Sequence, residues 1–248
     1  MSLALSRGTR QEPRTIEGYR NINTMTMNKL RLAFYSTIVL VEIACVYGQF
    51  WIGVYLLKPL IVLSLLYWTS PFRKQHLWLW VGLWFGCGGD VLLMIRERDL
   101  FVAGLGSFLV MQLCYIVAFW QTLSAEAKRN LKHKGWKYAL PFAMYGLVFL
   151  TISHDPINKQ SPSLWPPVVG YAVCLCSMGI AAAFRFNTTE ARSYQWVLWG
   201  AVLFILSDSL IALNKFWQPF EASTLLIMTT YAAAQWLIVW GMFSAKPN

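Results

Sequence analysis

Long apolar runs, separated by short polar and mostly basic segments, make up nearly the whole chain. Eight can be marked: Leu32–Gly48, Phe50–Trp68, Leu77–Met94, Phe101–Leu123, Tyr138–Ser153, Leu164–Phe184, Trp196–Leu213 and Ser223–Phe243. Each holds about 16 to 23 residues, close to the length a helix needs to cross roughly 30 Å of hydrocarbon. The pattern predicts an all-α polytopic membrane protein: one domain over 29–248, built as a bundle of eight transmembrane helices. The first two runs nearly touch, which places a tight turn at Gly48–Gln49. The fifth is short and carries Pro141. Residues 1–28 are polar and basic and read as a flexible cytosolic tail. They lack the apolar core of a cleavable signal peptide.

Composition agrees with the pattern. The 248 residues are 57% apolar and only 13% charged, with 13 Trp. A soluble domain is roughly 45–50% apolar and about 25% charged. A net charge of +10 invites a nucleic-acid reading, but the basic residues sit at the ends of apolar runs, where orientation signals belong. With eight spans both termini share one side. That side carries 16 of the 21 Lys and Arg, against four on the other, with Lys58 inside a span. The bias predicts cytosolic termini. Cys45, Cys87, Cys114, Cys174 and Cys176 all fall inside apolar runs, which suits packing better than a disulfide framework.

Against this apolar background a few polar residues stand out. Asp90 sits in GCGGDVLLM and Asp208 in LSDSLIALNKF. A carboxylate in a membrane span is expensive, and it usually faces the protein interior or a water-filled cavity with a function attached. Sequence position puts both aspartates in the outer half of their spans. Lys58, Gln112, Tyr115, Asn214, Lys215, Tyr231 and Gln235 fall with them between the membrane midplane and the outer surface, with Glu42 as a further candidate near the outer end of the first span. Tyr231 and Gln235 are one helical turn apart and share a face; Gln112 and Tyr115 pair likewise. The third and seventh runs share a short motif, GD-x-L-L and SD-x-L-I. A parallel repeat of two four-span halves would set Asp90 opposite Asp208.

Two buried carboxylates in unlike surroundings can serve as general acid and general base. Glycosidases use such a pair around an oxocarbenium-like transition state. The same pair could instead load and unload protons in a membrane carrier, or line a pocket that only binds lysolipids or related amphiphiles. Other chemistries lack their parts. There is no G-x-S-x-G elbow, no phosphate-binding or dinucleotide fingerprint, and the three dispersed histidines form no metal-ligand pattern.

KPL at 58–60, GD at 89–90 with the following VLLM, Tyr115, SDSLIALNKF at 207–216 and Y-x-x-x-Q at 231–235 together resemble the YhhN/TMEM86 family of integral membrane proteins. That resemblance implies a lysoplasmalogenase of the endoplasmic reticulum. It would hydrolyse the sn-1 vinyl ether of lysoplasmalogens to a fatty aldehyde and glycerophosphocholine or glycerophosphoethanolamine. Asp90 and Asp208 would be catalytic. Lys58, Gln112, Tyr115, Asn214, Lys215, Tyr231 and Gln235 would bind substrate or water. Neither a cofactor nor a metal is implied. The partners expected are the lysophospholipid substrate and membrane lipids, not nucleic acid, and the one assembly entertained is a homodimer.

Overall fold

The computed structural model describes residues 14–95, 100–186 and 190–244. Nine α-helices follow in order: α1 (Arg14–Tyr47), α2 (Trp51–Thr69), α3 (Leu77–Met94), α4 (Phe101–Gln121), α5 (Ala125–Lys134), α6 (Trp136–Gln160), α7 (Trp165–Ala183), α8 (Ala191–Phe216) and α9 (Ser223–Phe243). Among the described residues there is no strand. Of the basic tail expected over 1–28, residues 1–13 lie outside the described residues, and α1 begins at Arg14. The turn expected at Gly48–Gln49 separates α1 from α2. Gln49 makes it in the left-handed region, at φ 54°.

Two features differ from the apolar pattern. Seven of the described helices, not eight, are long and apolar enough to cross a membrane. The fifth run lies in α6, whose last two turns carry His154, Asp155, Asn158 and Lys159 and so dilute its apolar character. Even so, α6 runs antiparallel to α7 along its length. Tyr138 meets Phe186, Phe142 packs over Gly179 and Gly146 lies against Cys176, and His154 meets Trp165. The second feature is α5, a short basic helix in a segment read only as a connection. Ser124 caps it, its hydroxyl accepting from the Ala127 amide at 3.1 Å, and Glu126 lies in the first turn. Both suit a helix N-terminus.

The helices close into a ring. α1 packs on α2, α2 on α3, α3 on α4, α4 on α7, α7 on α8, α8 on α9, and α9 returns to α1 and α2; α6 stands outside, against α7 and α8. Two hairpins are the tightest parts, because small residues let the backbones approach. A Cβ on Gly89 of α3 would come within 2.8 Å of the Phe108 ring on α4, and one on Gly200 of α8 would meet the Ile238 amide nitrogen of α9 at 2.9 Å.

One end of the ring is tied by a cation. Arg185, in the α7–α8 connection, is fully buried. It donates to Thr122 Oγ1 at 3.0 Å and to Ser193 Oγ at 2.9 Å, and Ser193 donates to the Gly241 carbonyl at 2.6 Å. The ends of α4, α8 and α9 are thereby joined. Burial pulls the guanidinium pKa down to about 10, so it stays charged at neutral pH.

Candidate active site

Asp90 is 2% exposed on the inner face of α3. Tyr231 of α9 donates to its Oδ2 at 2.8 Å. Gln235, one turn further along α9, donates to the Tyr231 oxygen at 3.3 Å and to Met111 Sδ at 3.4 Å. Its carbonyl accepts from the Tyr115 phenol of α4 at 2.7 Å. Asp90, Tyr231, Gln235 and Tyr115 therefore form one hydrogen-bonded chain across α3, α9 and α4. Glu42 on α1 is 1% exposed, and neither carboxylate oxygen has a hydrogen-bond partner among the described residues. Lys58 on α2 is half-buried, within electrostatic reach of both Glu42 and Asp90.

Asp208 belongs to a different setting. It is half-buried on α8 and lines a partly open cavity of about 50 Å³ between α4, α6, α7 and α8. Tyr171 of α7 donates to Asp208 Oδ2 at 2.5 Å. The neighbouring wall carries Ser209, hydrogen-bonded to Tyr145 of α6. The rest of the lining is apolar, including Leu105, Phe149, Val168 and Leu175. Small-molecule sites commonly combine such a lining with a few placed polar groups. Phe101 and Phe216 meet edge to face in the same lining. Lys215, exposed, holds its ammonium 4.1 Å from the Phe101 ring centroid, which places a cation beside this end of the cavity.

The two aspartates do not meet. No hydrogen bond joins them among the described residues. Phe204 lies one turn from Asp208 on α8. It contacts Tyr231 edge to face at 5.7 Å between ring centroids and Phe108 at 6.4 Å. Phe108 in turn meets Tyr231 at 6.0 Å and packs on Gly89, beside Asp90. A two-ring layer thus lies between the Asp90 network and the Asp208 cavity. The hydrogen bonds also depart from a two-fold repeat. Asp90 takes its phenol from α9, but Asp208 takes its phenol from α7 and not from α4.

Among the other expected site residues, Gln112 is fully buried and faces the Tyr171 phenol without closing a hydrogen bond. Asn214 accepts from the Phe220 amide at 3.3 Å and caps the turn after α8. Tyr171, Tyr145 and Ser209 escaped the sequence reading. The local sequence offers Tyr171 only as a phenol in mid-span, and Ser209 only as the neighbour of Asp208.

The model of the YhhN family matches residues 53–242, the stretch that holds every group described above except Glu42. The chain belongs to the YhhN family. Curated relatives carry matching names. The lysoplasmalogenase of Mycobacterium bovis is 32% identical over 179 residues, 72% of this chain and 65% of that protein. Human lysoplasmalogenase TMEM86A is 32% identical over 162 residues, 64% of this chain and 62% of that protein. Human lysoplasmalogenase TMEM86B is 32% identical over 135 residues, 51% and 54% respectively. The chain thus spans between about half and two thirds of the length of these YhhN-family relatives. No solved structure matches it.

Proposed function

We propose that this membrane protein is a lysoplasmalogenase. It hydrolyses the sn-1 vinyl ether of an alkenyl lysophospholipid to a fatty aldehyde and glycerophosphocholine or glycerophosphoethanolamine. The observation that carries the reading is the partly open apolar cavity with Asp208 as its carboxylate. It suits an alkyl chain whose first bonds lie against an acid. The names of the YhhN-family relatives support the same reaction.

In the proposed mechanism Asp208 is the proton donor. Tyr171 holds Oδ2, and Oδ1 delivers the proton to the β-carbon of the vinyl ether. A C–H bond forms there as the double bond's electrons leave for it, and the ether oxygen shares the positive charge of the resulting oxocarbenium ion. Asp208, having given up its proton, is itself the carboxylate that faces the cation; it stabilises the charge and regains its proton from the water that adds to the α-carbon, while Asp90, behind the Phe108–Phe204 layer, acts on that charge only at a distance. The hemiacetal then collapses. Its hydroxyl proton passes to the departing glycerol oxygen, the C–O bond breaks, and the aldehyde is released. Lys215 lies where a headgroup phosphate would emerge. Lys58 balances the Asp90 and Glu42 charges. Water and the Asp208 carboxyl group complete the reaction without a cofactor. In this reading the protein sits in the endoplasmic reticulum membrane with cytosolic termini, an orientation that its charge bias supports.

Aldehyde release from the purified chain in detergent tests this directly. An alkenyl lysophospholipid should be turned over, and its acyl and alkyl analogues should yield no aldehyde. Asp208→Asn should lose at least about 100-fold, the scale of a removed acid or base, and Asp90→Asn, which removes only a remote charge, should lose less. Well-folded protein that releases no aldehyde overturns the reading and leaves a lysolipid-binding or transport role for the same cavity.

A further inference from the structure

Each hydroxyl group has one proton to give, and the cavity wall beside Asp208 has already committed its own. Ser209 Oγ donates to the Ile205 carbonyl at 2.5 Å, and a carbonyl can only accept. With the serine proton used there, the hydrogen bond between Tyr145 and Ser209 must carry the tyrosine's proton. Tyr171 spends its proton on Asp208 Oδ2. Both tyrosines line the cavity, and what their oxygens have left for a ligand is lone pairs. Asp208 apart, this wall accepts hydrogen bonds and does not donate them.

We infer that Tyr145 reads the free sn-2 hydroxyl of a lysolipid and so sets the selectivity for substrates without an sn-2 acyl chain. The inference rests on the lysoplasmalogenase reading for its substrate. In that substrate the hydroxyl nearest the vinyl ether oxygen is on the adjacent glycerol carbon. It can donate to the Tyr145 oxygen while the vinyl ether lies against Asp208, because Tyr145 and Asp208 share the wall within electrostatic reach of each other. An ester or methyl ether at sn-2 has no proton to offer and turns lone pairs toward lone pairs. Sites built around a hydrogen bond to a substrate hydroxyl reject analogues that lack it far more strongly than apolar pockets reject a missing methylene.

The test compares an alkenyl lysophosphatidylcholine with its 2-deoxy and 2-methoxy analogues on the full chain in detergent. Wild type should favour the hydroxyl substrate in kcat/KM by on the order of 100-fold or more. Tyr145→Phe should bring that ratio to within about threefold, an effect read as a ratio and so independent of how much variant folds. Ser209→Ala frees the Tyr145 proton for a ligand and should narrow the gap between hydroxyl and methoxy substrates. Equal wild-type rates, or an unchanged ratio in Tyr145→Phe, would overturn the inference and leave vinyl ether hydrolysis standing. If folded protein releases no aldehyde from any substrate, the parent reading fails and binding decides. At least tenfold tighter binding of the saturated 1-alkyl lysolipid than of its 2-deoxy counterpart, lost in Tyr145→Phe, sustains hydroxyl recognition; equal binding overturns it.

Discussion

At the scale of single residues, Asp208 is defined by what holds it. One oxygen accepts from Tyr171 at 2.5 Å, and the other has no hydrogen-bond partner among the described residues. Hydrogen bonds to charged groups are worth about 1.5–3 kcal/mol, so Tyr171→Phe should lower kcat/KM by roughly 10- to 100-fold. Aldehyde release from protein of unchanged melting temperature checks this. Wild-type turnover in that variant would show that the reaction does not need the phenol. The Asp90 group was legible in the sequence because each member is costly in hydrocarbon and because Tyr231 and Gln235 sit one turn apart. Tyr171, Tyr145 and Ser209 were not legible, for a physical reason. Tyrosine and serine fit apolar helices well, serine by bonding its own helix backbone, as Ser209 does to Ile205. Nothing about such a residue alone marks it as part of a site; only the approach of α6 and α7 to α8 does.

At the scale of elements, the apolar runs located eight of the nine α-helices among the described residues, and the hidden one was α5. Its residues are polar enough to look like a loop, and its start is set by a cap and a first-turn acid, not by apolar periodicity. The separation of the two carboxylates was also hidden. Sequence position fixes how far along a helix a residue lies but not which neighbour faces it, and the Phe108–Phe204 layer arises from packing. The hairpins offer a sharper test. A methyl group on Gly200 would meet backbone atoms of α9, the Ile238 nitrogen at 2.9 Å and the Ala234 oxygen at 3.0 Å, whereas one on Gly106 of α4 meets nothing within 4 Å. Gly200→Ala must therefore push two helices apart, at a cost of about 1–3 kcal/mol. Gly106→Ala gains helix propensity, worth roughly 0.5–1 kcal/mol. Thermal unfolding in detergent should move the melting temperature down for the first variant and up for the second. Matching shifts would mean that the close approach of α8 and α9 contributes nothing particular to stability.

At the scale of the whole molecule, sidedness decides how substrate arrives. In the proposed orientation α5 and both termini face the cytosol, so the α8–α9 turn lies on the opposite face. Lys215, in the last turn of α8, and the Phe101–Phe216 end of the cavity then belong to the non-cytosolic half. A lysolipid would enter from that leaflet with its phosphate near Lys215 and its chain reaching inward past Asp208. The five native cysteines lie inside apolar runs, four of them buried, so cysteines placed at exposed positions can report each face. Asn130 on α5 and Gln218 beyond α8 are both exposed. In sealed vesicles with the cytosolic face outward, a membrane-impermeant thiol reagent should label Asn130→Cys at once and Gln218→Cys only after detergent opens the vesicle. The reverse pattern would invert the molecule. It would move the cavity mouth and Lys215 to the cytosolic leaflet while leaving the chemistry at Asp208 untouched, because the cavity and its hydrogen bonds are set by the packing of α6 against the ring and do not depend on which face is outward.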